Sequence, residues 1–207
     1  MTEAADLLAP QEGKRERAKA ANREAILEAA KKVFAQLGYE TATVRDIIRG
    51  TELASGTFYN YFRSKEEVFE ALADDGARRF RPILRAARDQ AADFEDYIRR
   101  ALIAYFMFLR AENQAEGRPV SERRPHVHAD TPQAIAVYNE VREGIEDAIA
   151  RGVAPNVDAD YLASACIGMA QELGAAMLER TPPDVEGASA FAAAFVLGGV
   201  AGLPRKS

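Results

Sequence analysis

Apolar residues recur every three or four positions along much of the chain, which is the spacing of amphipathic α-helices. The first clear run extends from Ile26 to Leu37, with lysine and glutamine side chains between its apolar positions. Gly38 follows and can take the left-handed conformation that commonly ends a helix, after which Tyr39 can fold back on the last turn. The pattern predicts an amphipathic helix that stops at Gly38.

Short helical segments follow this run. Thr43 and Asp46 have the spacing of a capping box, so a helix is predicted to begin at Thr43. A turn over Gly50 to Leu53 then leads to another short helix over 55–62, in which two phenylalanines four positions apart point the same way. Three helices with a tight turn between the second and the third form a helix-turn-helix arrangement.

A longer fourth helix is expected after this motif. Ser64 and Glu67 repeat the capping-box spacing and are followed by an apolar run. Gly76 and Pro82 are predicted to bend or end that helix, because proline cannot donate the helical hydrogen bond.

The remaining sequence also has helical spacing. A largely apolar helix is predicted from Asp93, and another from Thr131, with Pro132 in its first turn, to near Gly152. Two helices rich in alanine and glycine are predicted over 158–180 and 186–203. The fold class predicted from the whole pattern is therefore all-α, with a small N-terminal helix-turn-helix domain and a larger helical domain.

Composition and charge narrow the possible classes of function and the possible cell compartment. Positions 11–65 contain eleven lysines and arginines but only seven acidic residues, although the whole chain has a net charge of -5. A basic front end on an acidic body is the pattern expected when one part meets a polyanion.

Cys166 is the only cysteine, which with the absence of an export leader favours the cytoplasm. The apolar stretch 188–203 is shorter than the roughly 20 residues that span a bilayer, so no membrane partner is expected.

The segment 23–72 carries a family resemblance. It reads "REAILEAAKKVFAQLGYETATVRDIIRGTELASGTFYNYFRSKEEVFEAL" and looks like the DNA-binding domain of the TetR family of transcriptional regulators. The resemblance implies a homodimer whose larger domain binds a small effector. Glu52 stands where the family commonly has glycine, and Ala54 where it commonly has serine or threonine. The turn must then use another geometry or strain Glu52, and Ser55 could supply a displaced cap.

The resemblance and the charge pattern together predict three regions. Residues 1–19 are expected to form a flexible basic arm, in which Lys14, Arg15, Arg17 and Lys19 either reach the DNA or are simply solvated. Residues 20–66 are the predicted helix-turn-helix domain. Residues 67–207 are the predicted effector-binding and dimerisation domain, with the last two helices of each subunit forming the dimer interface.

Nine residues occupy positions that, by the family resemblance, are expected to contact DNA. Contacts to phosphates fix orientation, whereas contacts to base edges give sequence preference. The expected phosphate contacts are Thr43, Tyr59 and Lys65, and the expected base readers are Arg45, Ser55, Gly56, Thr57, Asn60 and Tyr61. Structural alternatives stay open: Thr43 as a cap alone, Tyr59 packed on the first helix, and Arg45 paired with an acid.

An effector pocket is predicted among the central helices of the larger domain. Its candidate lining is mainly aromatic and apolar, which favours a lipophilic effector, although each residue could equally be plain core. The candidates are Tyr97, Tyr105, Phe106, Phe108, Tyr138 and Met169.

The sequence thus predicts a ligand-responsive repressor that binds a palindromic double-stranded DNA operator as a homodimer, with no cofactor and no metal. A corepressor-type regulator, which needs its ligand to bind DNA, is the alternative. An enzyme using His126 or His128 has little support, because the common catalytic motifs are missing. A non-specific architectural DNA binder would be expected to carry more positive charge.

Overall fold

The computed structural model describes residues 9–115 and 131–205, and every regular element in those two ranges is an α-helix. The helices are α1 (Ala9–Leu37), α2 (Val44–Arg49), α3 (Ser55–Tyr59), α4 (Lys65–Asp89), α5 (Phe94–Ala115), α6 (Pro132–Ala150), α7 (Ala159–Leu178) and α8 (Val185–Val200). They divide into two compact units, one ending at Leu72 and one beginning at Ala73. The all-α fold predicted from the sequence is confirmed.

Helix α1 ends as predicted but begins much earlier. Gly38 follows it with φ 74, the left-handed conformation expected there. Residues 9–19, for which a flexible arm was predicted, are instead the first turns of α1. They lack an apolar stripe, yet apart from Pro10 in the first turn and Gly13 they are residues that favour helix on propensity alone. Periodicity therefore missed this largely polar start of the helix.

The turn between α2 and α3 accommodates Glu52, in place of the usual glycine, without backbone strain. Glu52 does not have positive φ. Thr51 organises the turn, because its hydroxyl donates to the Ile48 carbonyl at 2.8 Å and accepts from the Leu53 amide at 3.2 Å. Ala54 is the N-cap residue of α3 and contributes no side-chain hydrogen bond, so Ser55 is the first helical residue and not a displaced cap.

The first unit has its own apolar core. Its most deeply buried members come from α1, α2, α4 and the α3 segment, and they include Ile26, Ala30, Ile47, Phe58 and Val68. Leu72 also packs on this core, although it lies two turns into α4. The first unit therefore ends at Leu72, six residues after the predicted boundary at 66.

Helix α4 passes through both residues predicted to bend or end it. Gly76 and Pro82 lie inside a helix of 25 residues. Phe80 and Leu84, on either side of Pro82, are buried in the core of the second unit. Tertiary packing of these side chains offsets the hydrogen bond that Pro82 cannot make.

In the second unit, α5 packs on α7 and α8, while α7 packs on α6 and α8. Helix α6 has the predicted start, since the Thr131 hydroxyl accepts from the Ala134 amide and Pro132 occupies the first turn. Helices α5, α7 and α8 agree with their predicted spans to within three residues at each end. None of the described helices is both long and apolar enough to cross a membrane.

Candidate nucleic-acid interface

Helices α2 and α3 hold most of the predicted DNA contacts on the surface of the first unit. Phe58 is buried beneath them and fixes α3 on the core. Tyr59, the next residue, is 58% exposed although its ring packs edge-on against Phe58. The alternative, in which Tyr59 packs against the first helix, does not account for this large exposed fraction. The other exposed candidates are Thr43, Arg45, Ser55, Gly56 and Asn60.

Two candidates within or just after α3 are less accessible. Thr57 is half-buried on α3. Tyr61 is also half-buried and packs against the apolar core of the first unit, so part of its ring contributes to stability.

Thr43 is committed to the start of α2. The Asp46 carboxylate accepts from both the hydroxyl and the amide of Thr43, at 2.6 and 3.1 Å, and the Asp46 amide donates back to the hydroxyl at 3.3 Å. These bonds hold the pKa of Asp46 below its usual value. The predicted capping box is confirmed. A phosphate contact from the Thr43 hydroxyl would have to compete with Asp46 for its proton.

Lys65 anchors the turn between α1 and α2. Its ammonium donates to the carbonyls of Tyr39, Glu40 and Ala42 at 2.8, 3.1 and 3.2 Å, and it lies 4.6 Å from the centre of the Tyr39 ring. An ammonium has three donors, and all three are used here. The predicted phosphate contact therefore requires Lys65 to exchange a carbonyl for a phosphate oxygen.

We expect Lys65→Met to lower the free energy of unfolding by about 1 to 3 kcal/mol, because three carbonyls lose their charged donor. Denaturant unfolding measures this change, with Lys32→Met, an exposed lysine on α1, as the control that should change little. A shallower salt dependence of DNA affinity in Lys65→Met would add support for the phosphate contact. Unchanged stability would contradict the anchoring role.

The effector candidates lie in the second unit with different degrees of burial. Tyr97 and Phe106 are buried in its core. Tyr105, Phe108, Tyr138 and Met169 are half-buried and pack against the same core. Phe80 lies 5.4 Å, centre to centre, from both Tyr105 and Phe108, which makes an aromatic group between α4 and α5. The Tyr138 hydroxyl donates to Asp160 on α7.

A buried charge cluster, which the sequence did not reveal, joins α4 to α6. Glu140 is only 2% exposed. Its carboxylate accepts from Arg85 at 2.8 Å, pairs with Arg88 at 2.9 Å, and lies 3.7 Å from Arg81. The hydrogen bond from Arg85 and the three positive charges hold the pKa of Glu140 below its usual value. The three arginines are spaced at helical intervals on α4, which is the sequence signal for a shared partner.

The exposed positions of α8 are largely apolar, and an exposed tyrosine stands on α7. Phe191 and Phe195 are 62% and 65% exposed, and their rings stack 6.4 Å apart on α8. Tyr161 on α7 is 79% exposed. A Cβ atom added at Gly198 or Gly199 would meet nothing within 4 Å. Packing within the chain therefore does not explain these glycines, which lower helix propensity.

Neither of the two histidines of the chain lies among the described residues. His126 and His128, the candidates of the enzyme reading, lie outside residues 9–115 and 131–205. Within those ranges no group of three or more histidine, cysteine, aspartate or glutamate side chains is placed to hold a metal ion.

The fold and the exposed α2–α3 surface define a helix-turn-helix DNA-binding domain followed by a larger helical domain. Residues 26–72 match the family model described as bacterial regulatory proteins, tetR family. The resemblance seen in the sequence is confirmed, and the N-terminal domain belongs to the TetR family of transcriptional regulators.

Relatives agree with this assignment. The uncharacterised transcriptional regulator YhgD of Bacillus subtilis is 31% identical over 83 residues, which are 40% of this chain and 44% of YhgD. The transcriptional repressor AcnR of Corynebacterium efficiens is 43% identical over 58 residues, or 28% of this chain and 31% of AcnR. The match thus spans less than half the length of either relative.

Over most of its length, the chain is similar to solved structures in fold. The regulator FadR of Bacillus subtilis, solved in complex with stearoyl-CoA, superposes with a TM-score of 0.65 over 86% of this chain and 98% of its own. The sequence identity is only 18%, so the shared property is the arrangement of helices.

Proposed function

We propose that this protein is a transcriptional repressor that binds a palindromic operator as a homodimer and is released by a small lipophilic effector. The exposed polar surface of α2 and α3 carries the proposal. Tyr59 and Asn60 stand clear of a core that holds Phe58 fixed, so aromatic and amide groups face solvent at little cost to the fold. Such groups, on a helix of this motif, are suited to phosphates and base edges.

The proposed contacts of this surface are of two kinds, to phosphates and to base edges. Tyr59, together with Thr43 and Lys65 where their intrachain bonds can yield, would orient the domain on the phosphates. Arg45 can make a bidentate contact to guanine, and Asn60 can do so to adenine. Ser55, Gly56, Thr57 and Tyr61 complete the proposed set of base readers.

Gly56 gives the most direct test of close approach. An added Cβ there would meet nothing within 4 Å of the chain, so Gly56→Ala should leave the free protein as stable or stabilise it by up to about 1 kcal/mol. On DNA the same methyl group would occupy the space where a base edge or phosphate lies. We expect operator affinity, measured by fluorescence anisotropy, to fall by about tenfold or more, which corresponds to 1.4 kcal/mol.

Gly76→Ala is the matched control for this prediction. Gly76 is also a helical glycine with open space around its missing Cβ, but it lies inside α4 and is not among the proposed contacts. Its substitution should leave operator affinity unchanged. If Gly56→Ala binds the operator as tightly as the wild type does, the backbone at Gly56 does not approach DNA.

The proposed dimer interface is the outer face of α7 and α8. An exposed aromatic pair beside small residues is an apolar patch of the kind that marks a protein interface. Glycines at 198 and 199 would let a partner helix approach closely. A homodimer with twofold symmetry presents two recognition helices to half-sites about 34 Å apart, or one turn of DNA.

The proposed effector is lipophilic because the candidate residues around Phe106 are aromatic and apolar. The stearoyl-CoA complex of the similarly folded Bacillus subtilis FadR is consistent with this class. Release from DNA requires the effector to bind the conformer with low operator affinity more tightly than the DNA-bound conformer. Its preference between the two must match the loss in DNA affinity.

A footprint of the purified full chain across promoter DNA, including the region beside its own gene, tests the proposal. A discrete protected palindrome, lost when an effector is added, is the expected result. Protection that appears only with a small molecule would identify the corepressor-type alternative. Uniform coating of the DNA, or no protection under any condition, would rule out operator binding.

A further inference from the structure

A row of basic side chains lies along the first half of α1. This basic row consists of Arg15, Lys19 and Arg23, all of which are exposed. They follow one another at intervals of four residues, so they lie on one face of the helix. The same face continues at Ile26 and, at helical spacing, at Val33, which are both buried in the core of the first unit. The basic row therefore extends the core-facing side of α1 into a part of the helix whose side chains are exposed.

Helix α3 lies on this side of α1. Phe58 of α3 and Phe62, just after α3, are buried in the same core as the apolar face of α1. The guanidinium carbon of Arg23 lies 5.4 Å from the centre of the Phe62 ring. Tyr59 and Asn60, of the proposed DNA surface, come only three and two positions before Phe62. The basic row thus begins beside that surface and continues along α1 for eight residues, or about 12 Å.

The charges of the basic row repel one another in the free chain, because like charges four positions apart destabilise a helix. In the described part of the chain no ion pair joins any member of the row to a carboxylate. By contrast, Lys31 on the same helix pairs with Glu28 at 2.6 Å. A polyanion along the row would remove the repulsion. Phosphates of one DNA strand recur about every 3.4 Å along the duplex axis, so the row has the length for roughly three of them.

We propose that the basic row binds backbone phosphates of the operator beside the groove that receives α3. This inference rests on the proposed function, because it adds a contact to the same DNA-binding surface. The contact is made by a helix that the core holds in place, and not by a flexible arm. Since phosphates carry no base identity, the row contributes affinity that depends on salt and not on sequence.

Two double variants with equal net charge test the proposal. Arg15→Gln with Lys19→Gln, the row variant, removes two charges from the basic row. Arg17→Gln with Lys32→Gln, the control variant, removes two exposed charges from the other side of α1. Glutamine is a good helix former, so α1 is kept in both. The general attraction of the protein to DNA changes equally, and the local contact differs.

Affinity of the full chain is measured by fluorescence anisotropy on the footprinted palindrome and on a random-sequence duplex of the same length. The row variant should bind each DNA about tenfold or more weakly than the control variant does. Its slope of log affinity against log salt should be shallower by about 0.9 for each lost phosphate contact. Equal affinities and equal salt slopes of the two variants would overturn the inference.

The melting temperature separates this contact from a structural role. The row variant loses like-charge repulsion and no ion pair with a described residue, so without DNA it should melt at or above the temperature of the wild type. A clearly lower melting temperature would mean that these cations support the fold, and would overturn the inference.

These outcomes can be told apart from failure of the proposed function. A palindromic footprint, together with equal DNA affinity of the two variants, would leave the regulator standing and remove the basic row as a contact. Weaker binding of the row variant to the random-sequence duplex, without any footprint, would support the basic row and remove the operator.

Discussion

Replacing Phe191 with aspartate is expected to convert the proposed dimer to a monomer and to weaken operator binding by roughly 10²-fold or more. The affinity loss follows because the second recognition helix no longer binds as part of the same molecule, and such linkage commonly contributes 10²- to 10⁴-fold. Phe191 is 62% exposed and stacked on Phe195, so the free subunit can tolerate a charge there.

The twofold symmetry of the proposed dimer increases the destabilisation of the interface by Phe191→Asp. One substitution places two carboxylates in the same interface, where each lies buried near apolar groups without a partner. Analytical ultracentrifugation measures the association directly, and the melting temperature of the isolated subunit checks that the fold survives. Anisotropy titrations on the operator then measure the change in affinity.

Met107→Asp is the matched control for Phe191→Asp. Met107 is an exposed apolar residue on α5, outside the α7–α8 face. It should leave the protein dimeric. If Phe191→Asp remains a dimer at the same concentration as the wild type, the interface lies elsewhere. If both variants become monomers, the effect of Phe191 is not specific to the α7–α8 face.

The sequence predicted those parts of the fold that depend on neighbouring residues. Thr43 and Asp46 form their capping box across three positions, and Gly38 ends α1 in the left-handed conformation. Thr131 and Pro132 likewise begin α6 as expected. Each of these signals acts within one turn of helix, so it can be read without knowledge of the tertiary structure.

Features that depend on distant contacts were missed. The carbonyls bound by Lys65 belong to residues 23 to 26 positions earlier, so the sequence suggested a free cation where the structure has an anchored one. Pro82 was expected to disturb α4, but the buried side chains beside it keep the helix intact. The start of α1 was missed for the opposite reason, because a polar helix has no apolar period to read.

The candidate DNA surface was predicted more fully than the effector region. Exposure of Tyr59 and Asn60 follows from their position beside Phe58, whose burial the helical period already implied. The effector candidates were chosen by aromatic character alone. That character does not distinguish Phe106, which is wholly buried, from Tyr105 and Phe108, which are only half-buried.

Glu140→Gln is expected to give the largest loss of stability among the substitutions considered. The variant has nearly the same shape but leaves three arginines around a neutral amide. Removing one partner from a buried charge pair commonly costs 3 to 5 kcal/mol. Because the arginine side chains are 24% to 50% exposed, water offsets part of this loss. We expect the free energy of unfolding to fall by about 2 to 3 kcal/mol.

Thermal unfolding should record this loss as a decrease in melting temperature of roughly 4 to 12 °C, given the size of the chain. Glu146→Gln is the control, because Glu146 lies on the same helix but is exposed, and its ion pair within the described residues is with Arg142, four positions earlier. Such a pair contributes about 0.3 to 0.5 kcal/mol. Equal effects of the two substitutions would show that the cluster around Glu140 does not hold α4 to α6.

The pH dependence of the difference between wild type and Glu140→Gln identifies the charge as the cause. The pKa of Glu140 in the folded chain lies below its ordinary value of 4.5, chiefly because of the hydrogen bond from Arg85. The unfolded state therefore binds the proton first as the pH falls, and the stabilisation by the charge is lost in the same direction. The difference in unfolding free energy should be complete above pH 4.5 and shrink steadily below it. A difference that stays constant from neutral to acid pH would mean that packing, and not the ionised carboxylate, accounts for the stability.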